Sequence, residues 1–347
     1  MEYNSSNPLR VFTAFSGYDS QCLALDRLAR EYPEFRYDLV GWCDIDKNAI
    51  EAHNLLFPNA CGKNYHDISK INWKDVPSFD LFTYSFPCTD ISVAGKREGL
   101  SKGSGTRSSL LWECEKAIKE KRPKYLLMEN VKALLSVNHK KDYDEWVSML
   151  SGYGYNSFCK VLDARDFGIP QRRERVFLIS IGKNCRESEY NFPQPLNLLK
   201  YIGEYIEDSV AEKYYIPERW QDITADKYPI GKDRYLLNAK NGIAPTITCA
   251  NHYAGNITNP RQGFREMGVL ECTEGKERVR RLTEREFFRL MGVDEESIDK
   301  IQSGTISSTA QLKLAGNSIV VDVLFHIFRK LLIEKEKEGD FEQLTLF

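Results

Sequence analysis

Residues 79–88 read Phe-Asp-Leu-Phe-Thr-Tyr-Ser-Phe-Pro-Cys, and this stretch is the most informative one for the fold. The run is apolar and β-prone as far as Ser85, which predicts a buried strand. Pro87 has no amide proton to donate to a neighbouring strand, so the strand ends before it. Cys88 is therefore expected in a loop at the carboxyl end of a strand, where open α/β sheets bind their ligands. A cysteine there is a candidate nucleophile, with a small core residue as the alternative.

The composition is that of an ordinary globular protein. The 347 residues suffice for one large domain or two, and 42% of them are hydrophobic and 28% charged. No apolar run approaches the roughly 18 residues of a membrane span, and the polar segment Met1–Arg10 lacks the apolar core of a signal peptide. The nine cysteines include no Cys-x-x-Cys pair and the five histidines are scattered. We expect a reduced, cytoplasmic protein without membrane contact, disulfide framework or bound metal.

The net charge of −2 does not by itself indicate a nucleic-acid-binding protein. A neutral total can still contain a local basic face. Residues 165–175 and 261–289 are rich in arginine and are the candidates for such a face. Solvated helix surface is the alternative interpretation of each stretch.

Predicted strands and helices alternate through the first half of the chain. The β-rich runs are Leu9–Phe15, Leu39–Cys43, a short run near Tyr65, Phe79–Ser85, Tyr125–Met128, Phe158–Leu162 and Val176–Ile181. Most are separated by segments with helical periodicity. This pattern predicts parallel βαβ units in a doubly wound α/β sheet over residues 1–183.

The second half changes character. Residues 184–276 show poor periodicity and frequent prolines, which indicates a smaller, loop-rich domain that carries a recognition surface. Residues 277–347 regain regularity, beginning with a capping box at Thr283 and Glu286. The last predicted helix runs from Ser318 to about residue 335, and its apolar face is expected to pack back onto the sheet.

Two aspartates follow predicted strands at positions that suit a nucleotide. Asp44 follows the second strand, where a carboxylate can accept hydrogen bonds from ribose hydroxyls. Asp67 follows the third and could accept from an adenine amino group. The chain has neither Gly-x-Gly-x-x-Gly nor a phosphate loop, so an adenosine without a pyrophosphate is favoured. Helix capping is the alternative role for each aspartate.

Six motifs, in order, resemble those of the cytosine carbon-5 DNA methyltransferases, and the resemblance covers nearly the whole chain. They are Phe15-Ser16-Gly17, Phe86-Pro87-Cys88, Met128-Glu129-Asn130-Val131, Phe167 to Arg175, Arg281 to Gly292, and Gly316-Asn317-Ser318. One match is weak, whereas six at sensible spacing are specific. Asp19 and Ser20 depart from the glycines that often complete the first motif. The seating of the cofactor's methionine portion is thus left open, and Asp19 could instead cap the following helix.

The resemblance implies a Rossmann-like methyltransferase sheet with a smaller target-recognition domain, and it assigns catalytic roles. Cys88 would add as a thiolate to carbon 6 of cytosine, which activates carbon 5. Glu129, acting in its protonated form, would supply a proton or hydrogen bond at nitrogen 3. Arg175 would bind the exocyclic oxygen, with Arg173 supporting that loop.

The implied cofactor is S-adenosyl-L-methionine. By resemblance its binding residues are Phe15, Gly17, Asp44, Ile45, Asp67, Pro87, Asn317 and Ser318. The implied substrate is double-stranded DNA with the target cytosine flipped out of the stack. The implied DNA-contacting residues are Ser92, Lys96, Arg97, Gln171, Thr246 and Thr248. Monomeric action and a cognate restriction endonuclease complete the expectations for a bacterial or phage restriction–modification enzyme.

The sequence leaves three alternative functions to consider. An RNA enzyme of similar fold, such as a tRNA cytosine-5 methyltransferase, is the runner-up, because the recognition region does not reveal its target. A catalytically inactive DNA-binding protein is disfavoured by the presence of Cys88, Glu129 and Arg175. A nicotinamide-dependent oxidoreductase is disfavoured by the missing glycine fingerprint.

Overall fold

The structure is a computed structural model that describes residues 2–88, 90–91, 100–185, 189–196, 200–215, 236–248, 268–273 and 276–334. The strands are β1 (Leu9–Ala14), β2 (Tyr37–Cys43), β3 (Leu81–Tyr84), β4 (Tyr125–Val131), β5 (Tyr155–Asp163), β6 (Glu174–Gly182), β7 (Leu236–Asn238), β8 (Gly268–Thr273) and β9 (Lys276–Arg281). The α-helices are α1 (Ser20–Glu31), α2 (Lys47–Leu56), α3 (Leu111–Lys121), α4 (Lys140–Gly152), α5 (Glu284–Arg289), α6 (Glu295–Gln302), α7 (Ser308–Asn317) and α8 (Val321–Phe328).

The larger sheet has six strands in the order β2-β1-β3-β4-β6-β5. The first four are parallel, as the alternation of strands and helices predicted. β6 runs antiparallel to both β4 and β5, so the prediction of parallel units is wrong at this edge. Residues 164–173 alone join β5 to β6. A parallel crossover needs about a dozen residues or more, usually with a helix, and this connection is too short for one.

Alternate strand residues face two apolar layers. In β4, Tyr125 and Leu127 face one layer, and Leu126 and Met128 face the other. This is the period-two pattern of a strand covered on both faces. Helices α1, α2 and α5–α8 contribute to the first layer, and α3 and α4 to the second. The doubly wound α/β prediction is confirmed. None of the described helices is long and apolar enough to cross a membrane.

The strand predicted near Tyr65 is absent. The chain there forms 3-10 helices at Pro58–Lys63 and Ile68–Lys70. Between them Asn64 makes a single β-bridge to Trp42. The two short helices leave too few extended residues to continue a ladder, so the local β propensity is overridden.

The last helix begins later than predicted. Helix α7 ends at Asn317, and Ser318 is extended, so α8 starts at Val321. A π-helical turn at Arg329–Ile333 continues α8. The packing prediction is confirmed, because the apolar residues of α8 join the first core layer. Asp322 in its first turn also accepts a hydrogen bond from Arg27 of α1 at 2.8 Å.

A buried ion pair connects the small sheet β7-β8-β9 to helix α5. Arg280 on β9 donates to both carboxylate oxygens of Glu286 at 2.8 Å, and both side chains have 0% exposure. The Arg280 Nε also donates to Glu271 on β8 at 2.6 Å. Glu286 completes the capping box with Thr283, which confirms the sequence signature. The small sheet lies on both sides of residue 276, and the domain boundaries stay a prediction.

We predict that Arg280→Ala lowers the free energy of unfolding by about 3–5 kcal/mol, because it leaves the Glu286 carboxylate buried without its partner. The matched control is Arg285→Ala on helix α5, which also carries Glu286. Its ion pairs to Glu295 and Asp299 involve carboxylates that are 54% and 66% exposed, so it should cost less than about 1 kcal/mol. Urea denaturation measures both. Equal losses would contradict the prediction.

Candidate active site

Cys88 lies in an irregular segment beyond the end of β3 at Tyr84, as the proline predicted. Its side chain is half-buried. Hydrogen bonds to its main-chain carbonyls hold the turn in place. The Phe86 carbonyl accepts a hydrogen bond from Asn130 Nδ2 at 2.9 Å. The Ile91 amide donates to the Cys88 carbonyl at 3.2 Å. The strand end therefore presents the thiol from a fixed turn.

Glu129 stands on the adjacent strand, within the last residues of β4, and is 5% exposed. Ser85 donates a hydrogen bond to its carboxylate, and Arg175 Nε lies 3.3 Å from its Oε1. The antiparallel register explains the pair, because Arg175 is opposite Val131, two residues along the same face from Glu129. The protonated form proposed for Glu129 stays a hypothesis.

Charges around Cys88 oppose one another. Burial raises the pKa of the Cys88 thiol, and the negative charge of Glu129 raises it further. Arg175 and Arg173 act in the opposite direction on the same pKa. The free protein therefore favours a thiol, and a reaction that consumes the thiolate requires deprotonation of Cys88.

Arg173 binds carbonyl groups from two distant parts of the chain. Its Nη1 donates to Ile247 O at 2.9 Å, and its Nη2 donates to Gly316 O at 2.9 Å and Ser318 O at 2.7 Å. Burial, and next the neighbouring positive charge of Arg175, lower the Arg173 pKa to about 9. These contacts fit the supporting role expected for Arg173, whereas its direct catalytic role stays a prediction.

Gln171 is a packing residue in this structure. Its side chain has 0% exposure. Its Nε2 donates to Leu290 O at 2.8 Å, and its Oε1 accepts from the Ile247 amide at 3.0 Å. Both ends of the amide are thus bonded to buried main chain, and the DNA contact expected for Gln171 stays a prediction.

The first and second strand ends meet at Asp44. Its Oδ2 accepts from the Gly17 amide at 2.8 Å, and its Oδ1 accepts from the Asp46 amide at 2.9 Å. Gly17 has φ +59°, a conformation that glycine adopts without steric cost. Burial is the main cause of the raised Asp44 pKa. The helix-capping role belongs to Asp46, which caps α2, so Asp44 is not a cap.

Other predicted cofactor residues surround this edge. Ile45 is 66% exposed and follows the half-buried Asp44 in sequence. Phe15 adopts φ +55° directly after β1. Asp67 caps the 3-10 helix at Ile68–Lys70 through Ser69, whose hydroxyl donates to it at 2.7 Å. That hydrogen bond is the main cause of the lowered Asp67 pKa.

Asp19, the departure from the family pattern, caps helix α1. It has φ +68° and accepts from the Cys22 amide at 3.0 Å. Thr13 donates to its Oδ2 at 2.7 Å, and His53 Nε2 lies 3.4 Å from the same oxygen. Aspartate tolerates this left-handed conformation better than most residues, so it can occupy a glycine position. The capping alternative raised for Asp19 is confirmed.

The C-terminal motif returns to the first strand end, as the sequence predicted for the last segment. Tyr18 and Ser318 share a hydrogen bond between their hydroxyl groups. Burial raises the Tyr18 pKa above its ordinary range. Asn317 is the last residue of α7 and is exposed. The cofactor contacts of Asn317, Ser318 and Pro87 stay predictions.

The predicted DNA-contacting residues fall into two groups. Thr246 Oγ1 donates to Arg172 O at 2.5 Å, and Thr248 is half-buried one residue beyond Ile247. Ser92, Lys96 and Arg97 lie outside the described residues. The DNA contacts of all five stay predictions.

Two residues of this site, Ser85 and Asn130, make contacts that the sequence did not predict. Ser85 contacts Glu129, and Asn130 holds the Phe86 carbonyl. Ser85 precedes the Phe-Pro-Cys run and Asn130 is part of the Glu-Asn-Val motif, so polarity at a strand end was the available signal. The features define an α/β protein with a thiol, a carboxylate and a guanidinium close to one another at one sheet edge.

The chain belongs to the C-5 cytosine-specific DNA methylases, whose family model matches residues 9–332. It is 37% identical to the type II methyltransferase M2.ScrFI of Lactococcus lactis subsp. cremoris, over 93% of this chain and 99% of that protein. It is 30% identical to the orphan methyltransferase M.SssI of Spiroplasma monobiae, over 94% and 98% respectively. The crystal structure of S. pombe Dnmt2 methyltransferase shares the fold, with a TM-score of 0.68 at 22% identity over 93% of this chain and 98% of that one.

This family transfers a methyl group from S-adenosyl-methionine to carbon 5 of cytosine in DNA, and the chain is an enzyme of that activity. The relationship is with methyltransferases of bacterial restriction–modification systems. The family-level expectation drawn from the six motifs is confirmed.

We predict that iodoacetamide alkylates Cys88 faster as pH rises above about 8.5, the ordinary thiol pKa, because the thiolate reacts and the Cys88 pKa is raised. Glu129→Gln removes a charge that raises this pKa, so alkylation at pH 8 should accelerate roughly two- to tenfold. Mass spectrometry of each cysteine peptide measures the rates. Cys61, which is exposed in the β2–β3 connection, is the internal control. Slower alkylation of Cys88 in Glu129→Gln would contradict the prediction.

Proposed function

We propose that this protein methylates the carbon 5 of a flipped cytosine within one short duplex sequence, through a covalent adduct at Cys88. The observation that carries the proposal is the meeting of three side chains at one sheet edge. Cys88 follows β3, Glu129 lies in β4 and Arg175 in β6, with Arg175 Nε 3.3 Å from Glu129 Oε1. A nucleophile, a proton-carrying group and a cation are thereby available to one base.

Each group has a distinct task in this mechanism. The Cys88 thiolate adds to carbon 6 of the cytosine ring, and the electron pair displaced from the ring makes carbon 5 nucleophilic. Glu129 supports the ring at nitrogen 3 by a proton or hydrogen bond. Arg175 binds the exocyclic oxygen. After methyl transfer, loss of the carbon 5 proton and expulsion of the Cys88 thiolate restore the aromatic ring.

The residues of the second strand end fit an adenosine. Each Asp44 oxygen accepts one main-chain hydrogen bond, and a carboxylate oxygen has a second lone pair for a ribose hydroxyl. The exposed Ile45 offers an apolar surface beside that carboxylate. Asp44, Ile45, Asp67 and Phe15 would hold the nucleoside of S-adenosyl-methionine, and Gly17, Pro87, Asn317 and Ser318 would also contact this cofactor. When bound, this cofactor supplies an electrophilic methyl group.

The substrate and cellular context follow from the same family. Double-stranded DNA is the proposed substrate, and flipping the target base costs a few kcal/mol. Thr246 and Thr248 would bind the backbone near the flipped nucleotide, and the 184–276 region would read the sequence. We propose monomeric, cytoplasmic action. The relatives include both type II and orphan methyltransferases by name, and a cognate endonuclease is proposed on the likeness to the type II enzymes.

We predict that Ile45→Ser raises the dissociation constant for S-adenosylhomocysteine about tenfold, since covering one large aliphatic side chain is worth about 1.5 kcal/mol or more. The exposed position leaves the thermal midpoint of unfolding unchanged. The matched control is Val137→Ser, because Val137 is 94% exposed and belongs to no proposed site. Titration calorimetry measures both variants. Equal affinities would remove Ile45 from the cofactor site.

The central test is bisulfite sequencing of DNA from cells that express the protein, beside cells that express Cys88→Ala. Protected cytosines should recur in one short sequence and vanish in the variant, because Cys88→Ala removes the nucleophile. Protection that survives in Cys88→Ala would overturn the adduct. Unprotected DNA with a single methylated cytosine in cellular RNA would favour the RNA-directed alternative.

A further inference from the structure

A buried serine, Ser108, is hydrogen-bonded to the main chain of the turn that carries Cys88. Ser108 begins the 3-10 helix Ser108–Leu110, which leads into α3, and it has 0% exposure. Its Oγ donates to the Pro87 carbonyl at 2.6 Å and accepts from the Asp90 amide at 3.3 Å. A hydroxyl is both a donor and an acceptor, so one small side chain bridges main-chain groups before and after Cys88.

Asp90 completes the bridge. Its side chain is 6% exposed, and its Oδ2 accepts from the Ser108 amide at 2.9 Å. Asp90 therefore fixes the main chain of Ser108, while Ser108 fixes the main chain of Pro87 and Asp90. The reciprocal pair joins two positions 18 residues apart in sequence.

The geometry decides how freely Cys88 is oriented. A peptide unit is planar, so holding the Pro87 carbonyl also orients the Cys88 amide in the same plane. The plane on the other side is held by the Ile91 amide, which donates to the Cys88 carbonyl at 3.2 Å. Proline restricts its own φ but leaves its ψ free, and the Ser108 hydrogen bond restrains that remaining angle. The direction of the Cys88 side chain is thus set from both sides.

We propose that Ser108 and Asp90 are positioning residues for the Cys88 nucleophile. The proposal rests on the function proposed above, in which Cys88 attacks carbon 6. Neither residue needs to touch the substrate. Their effect is on the alignment of the thiolate with the base, and a displacement of about 1 Å at a reacting atom can cost about 100-fold in rate.

The test is steady-state methyl transfer from radiolabelled S-adenosyl-methionine to genomic DNA that lacks cytosine methylation. Ser108→Ala and Asp90→Ala should lower kcat roughly 10- to 100-fold, with the KM for DNA and the dissociation constant for S-adenosylhomocysteine nearly unchanged. Asp90→Asn keeps an acceptor oxygen for the Ser108 amide and should restore most of the rate. A general folding defect would not be rescued in this way.

Ser109→Ala is the matched control. Ser109 lies in the same 3-10 helix, but its hydroxyl donates to Thr106 O at 2.6 Å and makes no hydrogen bond to the described residues of the Cys88 turn. It should retain the activity and thermal midpoint of the unmodified protein. If Ser108→Ala does not fold, the comparison of Asp90→Ala with Asp90→Asn decides the question.

Three outcomes would overturn the assignment. Ser108→Ala and Asp90→Ala could match Ser109→Ala in kcat. The slow variants could show a raised KM for DNA with an unchanged kcat. Both Asp90 variants could be equally slow, which would attribute the loss to the carboxylate charge and not to the hydrogen bond. Cys88→Ala separates the two proposals, because activity in that variant overturns the function itself, whatever Ser108 does.

Discussion

The buried guanidinium of Arg173 is the interaction on which the arrangement of the site depends. Arg173 immediately precedes β6 and donates to carbonyl groups of Ile247, Gly316 and Ser318. A buried charge is costly unless it is hydrogen-bonded, and these three carbonyls accept hydrogen bonds from its Nη1 and Nη2 groups. This one side chain links the start of the antiparallel strand β6 to the 244–248 segment and to the end of α7.

The reactive groups lie where neighbouring strands end at the same edge. Cys88 follows β3, and Glu129 and Arg175 are diagonal neighbours across the β4–β6 pairing. The rigid sheet sets the distances between strands, while short polar contacts adjust each side chain. Ser85 and Asn130 hold Glu129 and the Phe86 carbonyl, and Ser108 holds the Pro87 carbonyl. The position of the thiol thus depends on polar side chains to which the motifs assigned no role.

The cofactor edge shows how a family pattern can change without loss of the fold. Asp19 occupies a left-handed position where the family often has glycine, and it caps α1 while accepting from Thr13. The cost of the conformation is offset by buried hydrogen bonds that glycine could not make. Asp44 binds the Gly17 amide at the same edge, and the neighbouring Ile45 side chain is exposed there.

Local chemistry made part of the molecule predictable from sequence. Pro87 predicted that β3 ends before Cys88, and the strand ends at Tyr84. The capping box of Thr283 and Glu286 predicted the start of α5. The alternation of strands and helices predicted the doubly wound sheet. Other features depend on which distant segments come into contact. They are the antiparallel direction of β6, the burial of Gln171, and the hydrogen bond from Ser108 to the Pro87 carbonyl. Missing donors, caps and periodicity are properties of a few neighbouring residues. Partners for buried polar groups are chosen only when the chain has packed.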